Sequence, residues 1–193
     1  MLCDPLNAEW QFWDRWADGR WEPETRACIE QHVTGGTFVD IGAWIGPTVL
    51  WAAPLASRVV AVEADPTAME MLRHNTADLG VEYVACAVAD YDGETTITTA
   101  GDSMSRIGHG GVTVPCWTIE TLFTEHGIDS ADLIKMDIEG AEREVIAQAE
   151  PFLRRFGAPV LLSVHPWAPW HKDLLPGWER EPLAPHEWLV TPC

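Results

Sequence analysis

The stretch Thr37-Phe38-Val39-Asp40-Ile41-Gly42-Ala43-Trp44-Ile45-Gly46-Pro47 decides the fold. Phe38 to Ile41 is a short apolar run holding one acid, the pattern of a buried strand. It runs into a turn containing Gly42 and Gly46, and Pro47 then opens a helix. Proline suits the first helical position, because the N–H it lacks would have no partner there. Glycine lets the backbone approach a ligand where a Cβ would collide. Strand, turn and helix N-terminus in this order place backbone N–H groups at the edge of a sheet. Seventeen residues beyond Gly46, after a second apolar run at Val59 to Val62, stands Glu63. A carboxylate at the tip of the second strand can accept both hydroxyls of a ribose.

Outward from this unit the same alternation continues. Asp65 reads as an N-cap with Pro66 in the first turn, opening a helix through Met69, Met71, Leu72 and Leu79 to Gly80. Val81 to Val88 holds a third strand and its exit. Strands are also expected at Thr95 to Thr99 and Val112 to Trp117, joined by a glycine- and serine-containing loop from Gly101 to Gly111. Thr118 caps a helix that ends at Gly127. Asp132 to Asp137 is the next strand and enters a second charged turn, Asp137-Ile138-Glu139-Gly140-Ala141-Glu142. A helix to Ala149 follows, stopped by Pro151, and a strand from Pro159 to Val164 delivers His165-Pro166-Trp167.

Upstream, Trp10, Trp13 and Trp16 recur at helical spacing beside Phe12, and Thr25 to Val33 is a second helix. The aromatic stripe reads as a helix over the core, or as a lid over a site. One domain is expected, with an N-terminal helical cap at 1–35, a cofactor-binding core at 36–166 and a Pro/Trp-rich tail at 167–193. Strands alternating with helices indicate an α/β fold with a parallel sheet covered on both faces. Ligands of such sheets sit beyond the C-terminal ends of the strands, where Asp40, Glu63, Asp137 and His165 all fall.

The formal charge of −18 leaves no basic footprint for nucleic acid or an anionic membrane surface. No apolar run is long enough to span a bilayer, and Met1 to Gln11 lacks the features of a signal peptide. Five scattered cysteines without a Cys-x-x-Cys pair suit free thiols in a reducing, cytoplasmic setting.

Three stretches read together carry a resemblance: Asp40 to Gly46, Val62-Glu63-Ala64-Asp65-Pro66, and Leu133 to Glu142. With them the chain resembles FkbM-type methyltransferases, which use S-adenosyl-L-methionine and release S-adenosyl-L-homocysteine. Gly19-Arg20-Trp21-Glu22-Pro23 and Ser163-Val164-His165-Pro166 look like further family features. The resemblance implies the Rossmann-like class I methyltransferase fold, a mostly parallel seven-stranded sheet flanked by helices. Only 27 residues follow Pro166, so the C-terminal strand pair is expected to be abbreviated. It further implies that Asp40, Gly42, Ala43, Trp44 and Gly46 hold the methionine end of the cofactor, with Asp40 on its amino group. Glu63 would hold the ribose, Ala64 and Asp65 would lie along the adenosine, and Val88 and Ala89 near the adenine. The usual reaction of the family is methylation of a hydroxyl on a sugar or natural product, so a small-molecule or glycan acceptor is expected.

For the proton acceptor the residues nominate His165 first and Asp137 second. An imidazole that titrates near neutrality at a strand exit suits proton abstraction. The alternatives are a structural histidine and an aspartate that caps the following helix. No metal signature is present; a divalent ion on Asp137, Glu139 and His165 is the minority alternative. Glu139, Trp167 and Trp170 are candidate acceptor contacts, with Ser103 and His109 in the glycine-rich loop behind them. Lys135 is expected to serve structural pairing. Competing readings are a methyltransferase-like binding module without catalysis, an N-methyltransferase and a nucleotide-dependent oxidoreductase. The last is disfavoured, because the turn lacks Gly-x-Gly-x-x-Gly spacing.

Overall fold

The computed structural model describes residues 2, 11–98, 106–108, 111–165 and 175–193, with the side chain of Arg106 excepted. In chain order the elements are α1 (Phe12–Ala17), α2 (Pro23–His32), β1 (Thr37–Ile41), α3 (Pro47–Ala52), β2 (Arg58–Val62), α4 (Pro66–Asn75), β3 (Glu82–Val84), β4 (Ala87–Val88), β5 (Gly93–Thr98), β6 (Arg106–Ile107), β7 (Val112–Trp117), α5 (Ile119–Glu125), β8 (Leu133–Met136), α6 (Glu142–Phe156), β9 (Val160–Ser163), β10 (Trp178–Ala184) and β11 (Glu187–Pro192).

A seven-stranded sheet in the order β10-β11-β9-β8-β1-β2-β3 forms the frame. β9, β8, β1, β2 and β3 run parallel, and β11 and β10 close one edge antiparallel. Both faces are buried, which is why the central strands read as continuous apolar runs. Val39, Ile41, Val60, Ile134 and Met136 pack against α5 and α6 through Leu122, Phe123, Val145 and Leu153. Phe38, Val59, Ala61 and Leu133 pack on the other side against Ile29 of α2 and Val49 of α3. Each fully buried Val, Leu, Ile, Phe or Met among these contributes roughly 1.5–3 kcal/mol of hydrophobic stabilisation.

Helix starts follow the residues that announce them. Pro47 stands at the first position of α3 behind Gly46, whose φ of 95° a side chain would resist. Asp65 caps α4 by accepting from the Thr67 N–H at 2.8 Å, and Thr118 caps α5 by accepting from Thr121 at 3.2 Å.

The structure departs from the sequence reading in four places. The run Val81 to Val88 is divided: β3 joins the main sheet, while β4 joins a four-stranded sheet in the order β4-β7-β5-β6. α4 stops at Asn75 and leaves Leu79 exposed. Pro151 does not stop α6, which runs on to Phe156. Leu153 is buried, and Phe152 and Phe156 pack edge-on to Phe123, so tertiary packing carries the helix past the missing N–H. The tail is not abbreviated in strand count, because it supplies both β10 and β11 to the main sheet. Among the described residues no helix is long and apolar enough to cross a membrane.

Candidate active site

The parallel strands end on a cavity of about 270 Å³. Its floor is the turn after β1. The Gly42 and Ala43 N–H groups both donate to the Val62 carbonyl at 3.0 Å, strapping the turn to β2. Gly42 has φ 81°, and a Cβ there would lie 1.7 Å from the Asp137 carbonyl oxygen. Only glycine lets the turns after β1 and β8 meet. Trp44, also left-handed at φ 48°, turns its N–H to Glu63 Oε2 at 2.8 Å. The Asp65 N–H donates to Glu63 Oε1 at 2.7 Å. Glu63 is thus fixed by two backbone donors at the tip of β2, and burial pushes its pKa up to about 7 against those bonds.

The β2 side of the cavity is apolar. Ala64, Ala68, Ala87 and Val88 line it, joined by Ile97 of β5 and Ile107 of β6. The β8 and β9 side is charged, with Glu22, Lys135, Asp137, Glu139 and His165 on its wall. Lys135 Nζ lies 3.5 Å from Asp40 Oδ1 and 3.7 Å from Asp137 Oδ2. Burial opposes its charge, but Asp40 and Asp137 outweigh burial and raise its pKa. Asp40 is fully buried, accepts from the Thr48 hydroxyl, and has its pKa raised by that burial.

His165 is surrounded by acids. Nε2 lies 3.2 Å from Glu139 Oε2 and 3.6 Å from Asp137 Oδ1, and Nδ1 donates to Glu142 Oε1 at 3.0 Å. Burial alone would lower the pKa of the ring; Glu139, Glu142 and Asp137 overcome it and push it up to about 10. The ring is therefore an imidazolium at neutral pH. Glu142, only 2 % exposed, also accepts from the Ile138 and Gly140 N–H groups at 3.1 and 2.9 Å.

Of the residues expected at the site, Gly42, Ala43, Trp44, Glu63, Ala64, Val88, Asp137, Glu139 and His165 line the cavity. Asp40, Gly46, Asp65 and Ala89 do not. Asp40 lies beneath the floor, where it holds Thr48 and Lys135, two residues that do reach the cavity. Gly46 and Asp65 shape helix starts. His165 is brought to the site as expected, and there its three carboxylate neighbours favour the protonated ring. The acid that groups with Asp137 and His165 within 4.8 Å is Glu142 rather than Glu139. Glu142 is already engaged by two backbone donors and the imidazolium. Trp167, Trp170, Ser103 and His109 lie outside the described residues.

Sequence reasoning missed Glu22, Thr48, Ile97 and Ile107, and gave Lys135 only its pairing role. For Glu22 the signal was an acid wedged between Trp21 and Pro23. For Lys135 it was strand register, since Asp40 and Lys135 are direct partners across β1 and β8.

Residues 40–177 match the Methyltransferase FkbM domain. The 2-heptyl-1-hydroxyquinolin-4(1H)-one methyltransferase of Mycobacteroides abscessus is 32% identical over 84 residues, covering 40% of this chain and 37% of that protein. The crystal structure of methyltransferase FkbM from Methylobacillus flagellatus superposes with TM-score 0.57 at 16% identity, covering 81% of this chain and 43% of that one. An RNA methyltransferase from Salinibacter ruber, in complex with S-adenosyl-L-homocysteine, superposes with TM-score 0.50 at 16% identity, covering 89% and 92%. This chain spans less than half the length of the Mycobacteroides and Methylobacillus relatives.

Proposed function

The chain belongs to the FkbM methyltransferase family, which uses S-adenosylmethionine, and from that premise we propose that it methylates a hydroxyl group of a small molecule, a sugar or natural product. The observation that carries the reading is Glu63, held by two backbone donors at the rim of a cavity floored by the Gly42 turn. The fit to the cofactor is chemical. Glu63 offers a carboxylate to a ribose diol. The wall of Ala64, Ala68, Val88, Ile97 and Ile107 suits a flat base, and the charged side suits an amino-acid end. Buried polar atoms of the lining, Trp44 Nε1 and Asp137 Oδ1 among them, have no hydrogen-bond partner among the described residues.

When bound, the cofactor supplies an electrophilic methyl group on a sulfonium. The protein must align an acceptor oxygen with it and take the proton. Alignment of the two partners is worth roughly 7–11 kcal/mol of barrier. With His165 held as an imidazolium, the proton acceptor in this proposal is Asp137. Among the described residues its Oδ1 has no hydrogen-bond partner, and Lys135 and His165 keep the carboxylate in place from either side. The Mycobacteroides relative is named for a ring-borne hydroxyl, which makes flat hydroxylated ring systems the first acceptors to try. The net charge of −18 argues against a nucleic acid in that role.

The test is calorimetry with S-adenosylhomocysteine, then methyl transfer to hydroxyquinolones, other hydroxylated ring systems and sugars. Binding and a mass gain of one methyl on oxygen are expected. Absence of nucleoside binding would overturn the proposal. Transfer to nitrogen alone would replace it with N-methylation.

A further inference from the structure

Among the described residues, the charged end of the cavity carries more acid than cation. His165 is taken up by Glu139, Glu142 and Asp137. Lys135 is left to answer Asp40, Asp137 and Glu22, and Glu187 of β11 lies in the same field. Glu22 stands at the head of α2 in a left-handed backbone conformation, φ 39° and ψ 58°, with Pro23 at the first helical position behind it. That conformation brings the side chain to the cavity wall rather than to solvent. Glu187 is nine-tenths buried, and its Oε2 has no hydrogen-bond partner among the described residues. The Thr25 hydroxyl serves both Glu22 and Glu187. A hydroxyl has one proton to donate, so it cannot satisfy two carboxylates at once. Among the described residues, the carboxylates at this end of the cavity outnumber the cations His165 and Lys135.

On the methyltransferase reading above, we propose that Glu22 is a cofactor-binding residue: its carboxylate receives the α-ammonium of the cofactor's amino-acid end and gives up a proton in doing so. Without the cofactor Glu22 carries a proton, and the ammonium takes that proton's place. The groups that face Glu22 are Lys135 of β8, Asp137 beyond it, Glu187 of β11 and Thr25 of α2. Burial is the largest influence on the Glu22 carboxyl and pushes its pKa up to about 8, in line with a protonated acid at pH 7. The acid shifts from carboxyl to carboxylate, its proton goes to the buffer, and the ammonium keeps its own three.

The experiment is calorimetry at pH 7 with S-adenosylhomocysteine and with 5′-methylthioadenosine, which lacks the amino-acid end. Each titration is run in phosphate and in Tris, whose ionisation enthalpies differ. Any proton that Glu63 releases beneath the ribose is common to both ligands, so wild-type protein should release about one proton more on binding S-adenosylhomocysteine than on binding 5′-methylthioadenosine. Glu22→Gln should abolish that difference and weaken S-adenosylhomocysteine tenfold or more, while 5′-methylthioadenosine changes less than threefold. Three results would overturn the assignment: equal proton release with both ligands by wild type, unchanged affinity in the variant, or equal loss of both ligands. The wild-type buffer comparison decides the matter even if the variant does not fold. If wild type binds neither nucleoside, the methyltransferase reading falls as well; if it binds both and Glu22→Gln behaves identically, only the role of Glu22 falls.

Discussion

At the scale of single residues, the site separates carboxylates that face the cavity from those that support it. Glu63 faces it and Asp40 supports it, although each falls in or at the end of an apolar strand. Glu63→Gln tests the first role. Hydrogen bonds to a charged group are worth about 1.5–3 kcal/mol, so cofactor affinity should fall about ten- to hundredfold. The amide would also turn an N–H toward either Trp44 N or Asp65 N, both now donors to the carboxylate. One of those backbone groups then loses its acceptor, at about 1–3 kcal/mol of stability. Calorimetry reads the first effect and a denaturant midpoint the second; a variant that binds as wild type does would refute the ribose role. Strand-tip acids were legible in the sequence, because a carboxylate that closes a run of valines stands out. Which side of the turn each occupies was not, because it depends on the pairing of Asp40 with Lys135 across strands 95 residues apart. His165 was found by position, but its charge is set by Glu139 and Glu142, and no spacing rule announces that both would turn toward one ring.

At the scale of elements, local signals located the starts of α3, α4 and α5 but mistook what some later residues do. The caps at Asp65 and Thr118 and the proline at 47 act over three or four residues, which is why they can be read directly. The division of Val81 to Val88 between two sheets cannot be, since Val84 and Val88 are equally apolar and equally buried. Only β7, nearly thirty residues later, draws Ala87 and Val88 out of the main sheet, and the small sheet it builds brings Ile97 and Ile107 to the cavity. Pro151 is the other case. A proline inside a helix removes the bond to the carbonyl four residues back, here that of Ala147, and its ring crowds that carbonyl. α6 nevertheless continues, anchored by Val145, Ile146, Ala149 and Leu153. Residue 151 is exposed, so Pro151→Ala should restore the bond without disturbing the core. A gain of about 1–3 kcal/mol in unfolding free energy is expected, measured by urea denaturation. A loss of stability would mean that proline at 151 is needed to seat Phe152 and Phe156 on Phe123.

At the scale of the whole molecule, the buried charges of the cavity set a pH dependence that the overall charge of −18 alone would not. His165 has its folded pKa raised from 6.5 to about 10. Its contribution to stability is complete below about 6.5 and is lost as the pH climbs through 10. Glu22 is an acid whose folded pKa is raised from 4.5 to about 8, so the folded state holds its proton more tightly than the unfolded chain does. Stability from this group also declines as the pH rises from 4.5 to 8. Glu82 and Glu142 act in the opposite sense: their folded pKa values are lowered, and their contribution disappears only as the pH falls below the ordinary carboxylate range. The cofactor-free protein should therefore be most stable on the acid side of neutrality and weaken steadily toward pH 9. Surface repulsion between like charges is screened at high salt, whereas buried pairs are screened much less. Urea midpoints from pH 5 to 9 at 0.5 M salt should keep the downward slope in wild type and show a shallower one in both His165→Gln and Glu22→Gln. A profile that is flat at high salt would place the pH dependence on the surface and remove the imidazolium from the account of the site.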